Sequence, residues 1–163
     1  MIDNLHMNSL HGIRILDLSR VLAGPWCTQT LADLGADVIK IERPGAGDDT
    51  RGWGPPFLKD KDGVDTSDAA YYLGTNRNKR SVTCDIAQAQ GQDLIRQLVK
   101  VCDVFIENFK VGDMARYGLD YATLAQLNPT LGAINANLAR AREARREAAD
   151  ADLILFPELF ICG

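Results

Sequence analysis

The chain has few residues of the kinds that most often carry out acid–base, nucleophilic or metal chemistry. Its only histidines, His6 and His11, lie close together near the start, which excludes most Ser-His, Cys-His and His-metal arrangements. The cysteines occur singly, with no Cys-x-x-Cys pair and no nearby histidine, at Cys27, Cys84, Cys102 and Cys162. We therefore expect no metal site, and any chemistry must use carboxylates, amides or a cofactor brought in from solution.

Carboxylates are the next candidates, and most of them have a simpler structural explanation. Three lie on or at the ends of predicted buried strands: Asp17, Asp85 and Glu107. Carboxylates in such positions mostly cap turns or pair with an arginine, and we favour that interpretation here. Asp48 and Asp49 lie in a long stretch rich in Gly and Pro, residues 43–69, which predicts a functional or mobile loop. We expect both of these side chains to be exposed to solvent.

Several cations and one aromatic residue are placed to bind an anion. Arg43 directly follows the second predicted strand and Phe109 follows the fourth, at the edge where open α/β sheets bind ligands. With Arg116, they offer guanidinium donors and an apolar slot, which suit a phosphorylated nucleotide. From the residues alone, each is more often a surface arginine or a core phenylalanine. Lys79 and Arg80 are predicted to form a solvated charge pair.

Apolar periodicity predicts a β-α-β unit at the start of the chain. Residues 12–18 and 37–42 are short runs rich in strand-forming residues. The helix predicted between them has Pro25 at its first position, continues through residues 26–34 and ends before Gly35. A helical connection between two buried strands indicates a parallel pair with a right-handed crossover, and therefore an open α/β sheet.

The pattern continues through the middle of the chain. Residues 81–85 and 104–107 predict a third and a fourth strand, and the intervening residues 90–101 have apolar positions at helical spacing. Short helices are predicted at residues 113–117 and 121–127. The sequence thus predicts a repeated alternation of strands and helices.

Composition limits the classes of function. The chain has 163 residues, of which 46% are hydrophobic and 25% charged, as in one ordinary globular domain. A net charge of −4 disfavours nucleic acid and anionic membranes as partners. No apolar run reaches the length of a membrane span, and the first residues do not have the pattern of a secretory leader. We expect a cytoplasmic protein.

Five ordered blocks resemble the opening of the family III CoA-transferases, the CaiB/BaiF group. The blocks read LHGIRILDLSRVLAGP (residues 10–25), ADLGADVIKIERP (32–44), GAGDDTRGWGPP (45–56), a stretch containing NRNKRS (71–85) and DVFIENF (103–109). The resemblance covers about residues 10–130 and is closest to the enzymes that act on dicarboxylic acids, with formyl-CoA transferase more distant.

The resemblance implies an enzyme that passes CoA from an acyl-CoA to a free carboxylate. The reaction would proceed through a mixed anhydride and a thioester on one aspartate, which lies beyond the matching region. It also implies an interlocked homodimer and a Rossmann-like, open, mainly parallel α/β sheet with flanking helices, incomplete relative to the full-length family. CoA would be a substrate rather than a covalently bound cofactor, and the isolated chain is expected to be inactive.

By position, the resemblance implies ten CoA-binding residues: Val21, Leu22, Ala23, Arg43, Cys84, Asp85, Ile86, Asn108, Phe109 and Arg116. Arg43 and Arg116 would meet phosphates, while Asn108 and Phe109 would bracket the nucleotide. Ala87 departs from the family pattern, because some members have a phosphate-binding lysine there.

The end of the chain is similar to another family. Residues 126–134 (QLNPTLGAI) and 153–163 (LILFPELFICG) resemble the start of the nitrilase-type amidase domain of glutamine-dependent NAD synthetases. That resemblance implies a general base at Glu158, with Cys162 too close to it to be the nucleophile. We hypothesise a chimera with its crossover between about residues 124 and 131.

The resulting division is a CoA-binding domain at residues 1–130 and a helix–strand segment at residues 131–163. In that segment, residues 135–150 are predicted to be a helix and residues 153–156 a strand. Two other interpretations stay open at this point. In the first of these alternatives, the chain is a fragment of a glutamine-hydrolysing domain. In the second, it is a non-catalytic module for nucleotide binding or association.

Overall fold

The computed structural model describes residues 9–127, and their central element is a parallel β-sheet. The strands in chain order are β1 (Arg14–Asp17), β2 (Asp37–Glu42), β3 (Phe57–Lys59), β4 (Asp65–Ala69), β5 (Lys79–Thr83) and β6 (Val104–Ile106). Four of them form one sheet in the order β5-β2-β1-β6, and each neighbouring pair in it is parallel. The prediction of an open, mainly parallel α/β sheet is confirmed.

Helices connect these strands. They are α1 (Ala23–Asp33), α2 (Ala70–Asn76), α3 (Ala89–Val99) and α4 (Tyr121–Leu127), with 3₁₀ helices at Asp49–Gly52 and Asp113–Tyr117. Helix α1 begins earlier than predicted, so Pro25 lies at its third position, still within the first turn, where a missing N–H costs nothing. None of the helices within residues 9–127 is both long enough and apolar enough to cross a membrane.

The sheet buries apolar side chains on both faces. Successive strand residues point to opposite faces, so Ile15 belongs to one apolar cluster and Leu16 to another. Ile15 and Val38 share their cluster with Ala32 of α1, whereas Leu16 shares its cluster with Ile95 of α3. Helices therefore cover both faces, which explains why the strands read as apolar runs in the sequence.

The stretch predicted as a long loop has structure of its own. It contains one of the 3₁₀ helices and an antiparallel hairpin of β3 and β4. The Asp60 side chain closes the hairpin turn by accepting hydrogen bonds from the N–H groups of Asp62 and Val64, both at 2.9 Å. Strand β4 is mostly polar and β3 has only three residues, and much of both strands is exposed, so they lack the sustained apolar alternation by which strands are predicted.

Several predictions concern residues outside the described part of the chain. They are the helix at residues 135–150, the strand at residues 153–156 and the domain boundary after residue 130. They stay predictions.

Two helical glycines give a matched test of the fold. A Cβ added to Gly91 would lie 2.0 Å from the Asp85 carbonyl oxygen, whereas a Cβ on Gly74 would have no described atom within 4 Å. We expect Gly91→Ala to destabilise the chain by about 1–3 kcal/mol, because backbone must move to make room. Gly74→Ala, which only improves helix propensity, is expected to be neutral or to stabilise by up to about 1 kcal/mol.

Urea unfolding of both variants measures these differences. Equal effects of the two substitutions would contradict the close packing of α3 against the segment after β5.

Candidate functional site

The carboxyl ends of the four parallel strands open into one cleft. Its volume is about 350 Å³, including the space at its mouth. The residues that line it come from the end of β2 and from the segments that follow all four strands: Leu18, Arg20, Ile41, Glu42, Arg43, Gly47, Asp48, Cys84, Ile86 and Phe109. The structure thus brings together four of the residues predicted to bind CoA, and it does so at the edge where ligands bind in open α/β sheets.

The inner part of the cleft is apolar. Leu18, Ile41 and Cys84 are buried there, and Ile86 and Phe109 pack against the same core cluster with part of their surface exposed. Burial raises the pKa of the Cys84 thiol, and nearby Asp85 acts in the same direction. A neutral thiol among apolar side chains forms a surface for a flat ring rather than a nucleophile.

The mouth of the cleft contains two arginines, Arg20 and Arg43, and both pair with Asp49. Arg20 lies over the Phe109 ring, with its guanidinium carbon 4.7 Å from the ring centroid. Arg43 Nη2 lies 2.5 Å from Asp49 Oδ1, and Arg20 Nη1 lies 3.8 Å from Asp49 Oδ2. Sequence reasoning missed Arg20, although it directly precedes Val21 in the first resembling block and follows the same strand end.

Asn108 organises the cleft rather than lining it. Its side chain accepts a hydrogen bond from the Arg20 N–H (2.9 Å) and donates one to the Arg20 carbonyl oxygen (2.8 Å). The turn after β1 is thereby fixed to the end of β6. Val21, Leu22 and Ala23 continue this turn into α1, and Val21 adopts a positive φ of 70° while its N–H donates to Asp48 Oδ1 at 3.3 Å.

Asp85 and Arg116, like Val21, Leu22, Ala23 and Asn108, do not line the cleft. Asp85 Oδ1 accepts a hydrogen bond from the Ala87 N–H at 2.9 Å, which makes a turn before α3. Arg116 lies over the ring of its neighbour Tyr117, 4.7 Å from the centroid. Their roles in CoA binding stay predictions.

The prediction that Asp48 is exposed is wrong. The side chains of Asp48 and Lys40 are each 1% exposed, and Lys40 Nζ lies 2.9 Å from Asp48 Oδ2. The same ammonium donates to the Ser19 carbonyl oxygen at 2.9 Å, and Asp48 Oδ1 accepts from the Thr50 N–H at 3.0 Å. Burial opposes ionisation of Asp48, but the bonds from Thr50 and Lys40 outweigh it and lower the pKa of this carboxyl.

Glu42, at the end of β2, ties the polar stretch to the sheet. Its carboxylate accepts two hydrogen bonds from Arg51 (2.7 and 2.8 Å) and one each from Tyr72 (2.8 Å) and Ser81 (2.6 Å). The Arg51 guanidinium also lies 3.6 Å from the centroid of the Tyr72 ring. Burial alone would raise the pKa of Glu42, but these bonds, with one from the Asp48 N–H, lower it to about 2.

The carboxylates at the other strand ends have structural roles, as predicted. Asp17 accepts from Ser19 Oγ at 2.5 Å and Thr28 Oγ1 at 2.6 Å, and Glu107 accepts from the Phe109 N–H at 2.6 Å. The prediction that Lys79 is solvated is wrong, because its side chain is only 2% exposed and lies 3.3 Å from Asp17. Burial lowers the pKa of Lys79 to about 8, although Asp17 favours its charge.

Comparison with known proteins identifies the family of the chain. The sequence model of CoA-transferase family III matches residues 10–151. The chain belongs to this family. It is 58% identical over 122 residues to a succinate–glutarate CoA-transferase of Agrobacterium fabrum, and 48% identical over 127 residues to the human succinyl-CoA:glutarate CoA-transferase. These alignments cover 75% and 78% of the chain, but only 30% and 27% of the two relatives.

A formyl-CoA:oxalate CoA-transferase of Afipia carboxidovorans is 46% identical over 123 residues, which are 76% of the chain and 27% of that relative. Among solved structures, a CaiB/BaiF family protein from Brucella suis has a TM-score of 0.69 and 52% identity. That match covers 74% of the chain and 31% of the Brucella protein. The chain thus spans about 30% of the length of the family III relatives that it matches.

The comparisons give no support to the predicted chimera. The family III match continues to residue 151, well past the predicted crossover between residues 124 and 131. Most of the second resemblance, including its general base at Glu158, lies outside the described residues. It stays a prediction with no comparison behind it.

The buried Lys40–Asp48 pair gives a prediction about stability. We expect Lys40→Met to destabilise the chain by about 3–5 kcal/mol, because it leaves a buried carboxylate without its cation. The control is Lys59→Met, which removes the cation of an exposed pair with Asp65 and is expected to cost at most about 1 kcal/mol.

Urea unfolding measures both losses. Adding Asp48→Asn to Lys40→Met is expected to restore part of the stability, since no unpaired charge then stays buried. A Lys40→Met variant no less stable than the control would contradict the buried pair.

Glu42 gives a prediction about pH. Its folded-state pKa of about 2 lies below the ordinary value of 4.5, so its stabilisation is fully present above pH 4.5 and is lost as the pH falls towards 2. The shift corresponds to about 3 kcal/mol at neutral pH. We expect the stability difference between wild type and Glu42→Gln, measured by urea unfolding, to shrink across this window. A difference that does not change with pH would contradict the role assigned to the carboxylate.

Proposed function

We propose that this chain forms the CoA-binding part of an enzyme that transfers coenzyme A between carboxylic acids. The observation that carries the proposal is the cleft at the carboxyl edge of the sheet. It combines an apolar slot with two guanidinium groups at its mouth, which suits a ligand with a flat base and phosphates. The segments that build it lie within residues 10–151, which match the sequence model of CoA-transferase family III.

In this proposal the two parts of the cleft divide the recognition of CoA. The adenine ring packs among Ile86, Phe109 and the buried side chains below them. The phosphates approach Arg20 and Arg43, because charge-assisted hydrogen bonds to arginine are strong and geometrically specific. The turn at Val21, fixed by Asn108, then lies beside the path of the ligand towards the reacting thioester.

The acids are proposed from the relatives. Their names contain succinate, glutarate and oxalate, each of which has two carboxyl groups. We propose a dicarboxylic acid as the CoA acceptor. We also propose that this enzyme is cytoplasmic. Cys27 and Cys84 do not form disulfides, as is usual for proteins of that compartment.

The chemistry of transfer assigns a limited role to the described residues. A carboxylate must attack the thioester carbonyl, so that a C–O bond forms, the C–S bond breaks and CoA leaves as a thiolate. The strand-end carboxylates Asp17, Glu42 and Glu107 already accept hydrogen bonds within the fold. We propose that the described residues bind and orient CoA, and that the attacking aspartate lies outside them. The chain on its own is then inactive as a transferase.

We also propose a homodimer for the complete enzyme, as the resemblance implies. In the described sheet β5 and β6 are the outer strands, each paired on one side. Outer strands expose backbone donors and acceptors that another chain or segment can cover.

The proposed function is tested by calorimetric titration of the purified chain with CoA at low salt. We expect saturable binding, and we expect Arg43→Ala to weaken it about tenfold or more, since a charge-assisted contact to phosphate is lost. Arg80→Ala is the matched control, because Arg80 is an exposed arginine that pairs with Asp37 at the start of β2, away from the cleft. Binding by that variant is expected to match wild type.

Circular dichroism of each variant verifies that it is folded. A folded wild-type chain that does not bind CoA, or an equal loss in the two arginine variants, would overturn the assignment of this cleft.

A further inference from the structure

Asp49 occupies the position between the two arginines at the mouth of the cleft. Its two carboxylate oxygens face different guanidinium groups, Oδ1 that of Arg43 at 2.5 Å and Oδ2 that of Arg20 at 3.8 Å. All three side chains are partly exposed, and the Asp49 side chain is 39% exposed. The carboxylate therefore lies where an anion bound by both arginines would lie.

The fold gives Asp49 only a small structural role, in the first turn of the 3₁₀ helix Asp49–Gly52, where a negative charge is weakly favoured. The neighbouring Asp48 carries the structural role, because it is buried, pairs with Lys40 and holds Thr50. Asp49 instead makes exposed ion pairs, which contribute little to stability because water and salt screen them. Its two arginine partners line or border the cleft that we propose to bind CoA, so any effect of Asp49 falls on ligand binding.

We propose that Asp49 is an internal competitor, a carboxylate that holds Arg20 and Arg43 together until a phosphate of the ligand displaces it. This inference rests on the proposed function. A phosphate monoester carries up to two negative charges and can accept from both guanidinium groups, so it replaces a carboxylate that has only one charge. A ligand group with one charge or none gains little from the exchange. Asp49 would thus select for a phosphate monoester at this end of the ligand.

Competition by Asp49 would lower the apparent affinity of the cleft for its ligand. When a site is closed by its own side chain for most of the time, the apparent affinity falls by the fraction of molecules in which it is open. Removing the charge of Asp49 while keeping its shape should therefore tighten binding. We expect Asp49→Asn to bind CoA about fivefold more tightly than wild type, which is the ratio of closed to open forms that one exposed ion pair supports.

The experiment compares two ligands and two carboxylates. CoA has a phosphate monoester on its ribose, and dephospho-CoA lacks it, so calorimetry with both isolates this group. The control variant is Asp65→Asn, which changes the net charge equally but removes a carboxylate that pairs with Lys59 in the β3–β4 hairpin. We expect the gain only for Asp49→Asn and only with CoA, and no change in the affinity of any variant for dephospho-CoA.

The outcomes separate this inference from the function on which it rests. If wild type does not bind CoA, the proposed function fails. If wild type binds CoA and Asp49→Asn binds it equally or more weakly, Asp49 does not compete and the inference fails alone. An equal gain in Asp65→Asn, or an equal gain with dephospho-CoA, would show a general charge effect and would also overturn the inference.

Discussion

The ion pair between Lys40 and Asp48 joins the sheet to the polar stretch that surrounds the cleft. Lys40 lies in β2, inside the sheet, and Asp48 lies in the segment that follows it. Their contacts also reach the carbonyl of Ser19 and the N–H of Val21, so one buried pair fixes the ends of two neighbouring strands. Removing either charge would leave the other buried without compensation, which explains why the two groups must occur together.

The carboxylates of the described residues divide into two groups according to burial. Asp17, Glu42 and Asp48 are inside, and in the described part of the chain every buried side-chain nitrogen or oxygen has a hydrogen-bond partner. Several hydrogen-bond partners hold each of these three carboxylates in place. They are therefore poor candidates for a group that must leave one partner when a ligand binds. Asp49 is partly exposed and pairs with two partly exposed cations, Arg20 and Arg43. A ligand can displace such an exposed carboxylate from its arginines at a low cost in free energy, because water then solvates the carboxylate.

The sequence predicted the sheet better than the site. Strands β1 and β2 follow the predicted runs because their residues are buried on both faces. In the hairpin, β3 has only three residues and β4 is mostly polar, so neither gives a periodic signal. The burial of Lys79 could not be predicted either, because its partner Asp17 lies 62 residues away and reaches it only through the pairing of β5 with β2 and β2 with β1. Position within the resembling blocks identified Arg43 and Phe109, but that pattern did not single out Arg20.

In the proposed function an acidic chain binds an acidic ligand, which needs cations in the right place rather than in excess. The net charge of −4 gives no general attraction for a nucleotide, so binding must depend on the few guanidinium groups at the cleft. Unpaired, Arg20 and Arg43 would accept any small anion and would repel each other. With Asp49 between them, the pair is neutralised in part, and only a ligand that brings more charge and additional apolar contacts with Phe109 gains from opening it. In this proposal, selectivity for a phosphorylated ligand comes from the competition between its phosphate and Asp49. Contacts with the apolar slot add binding free energy that a simple anion cannot gain.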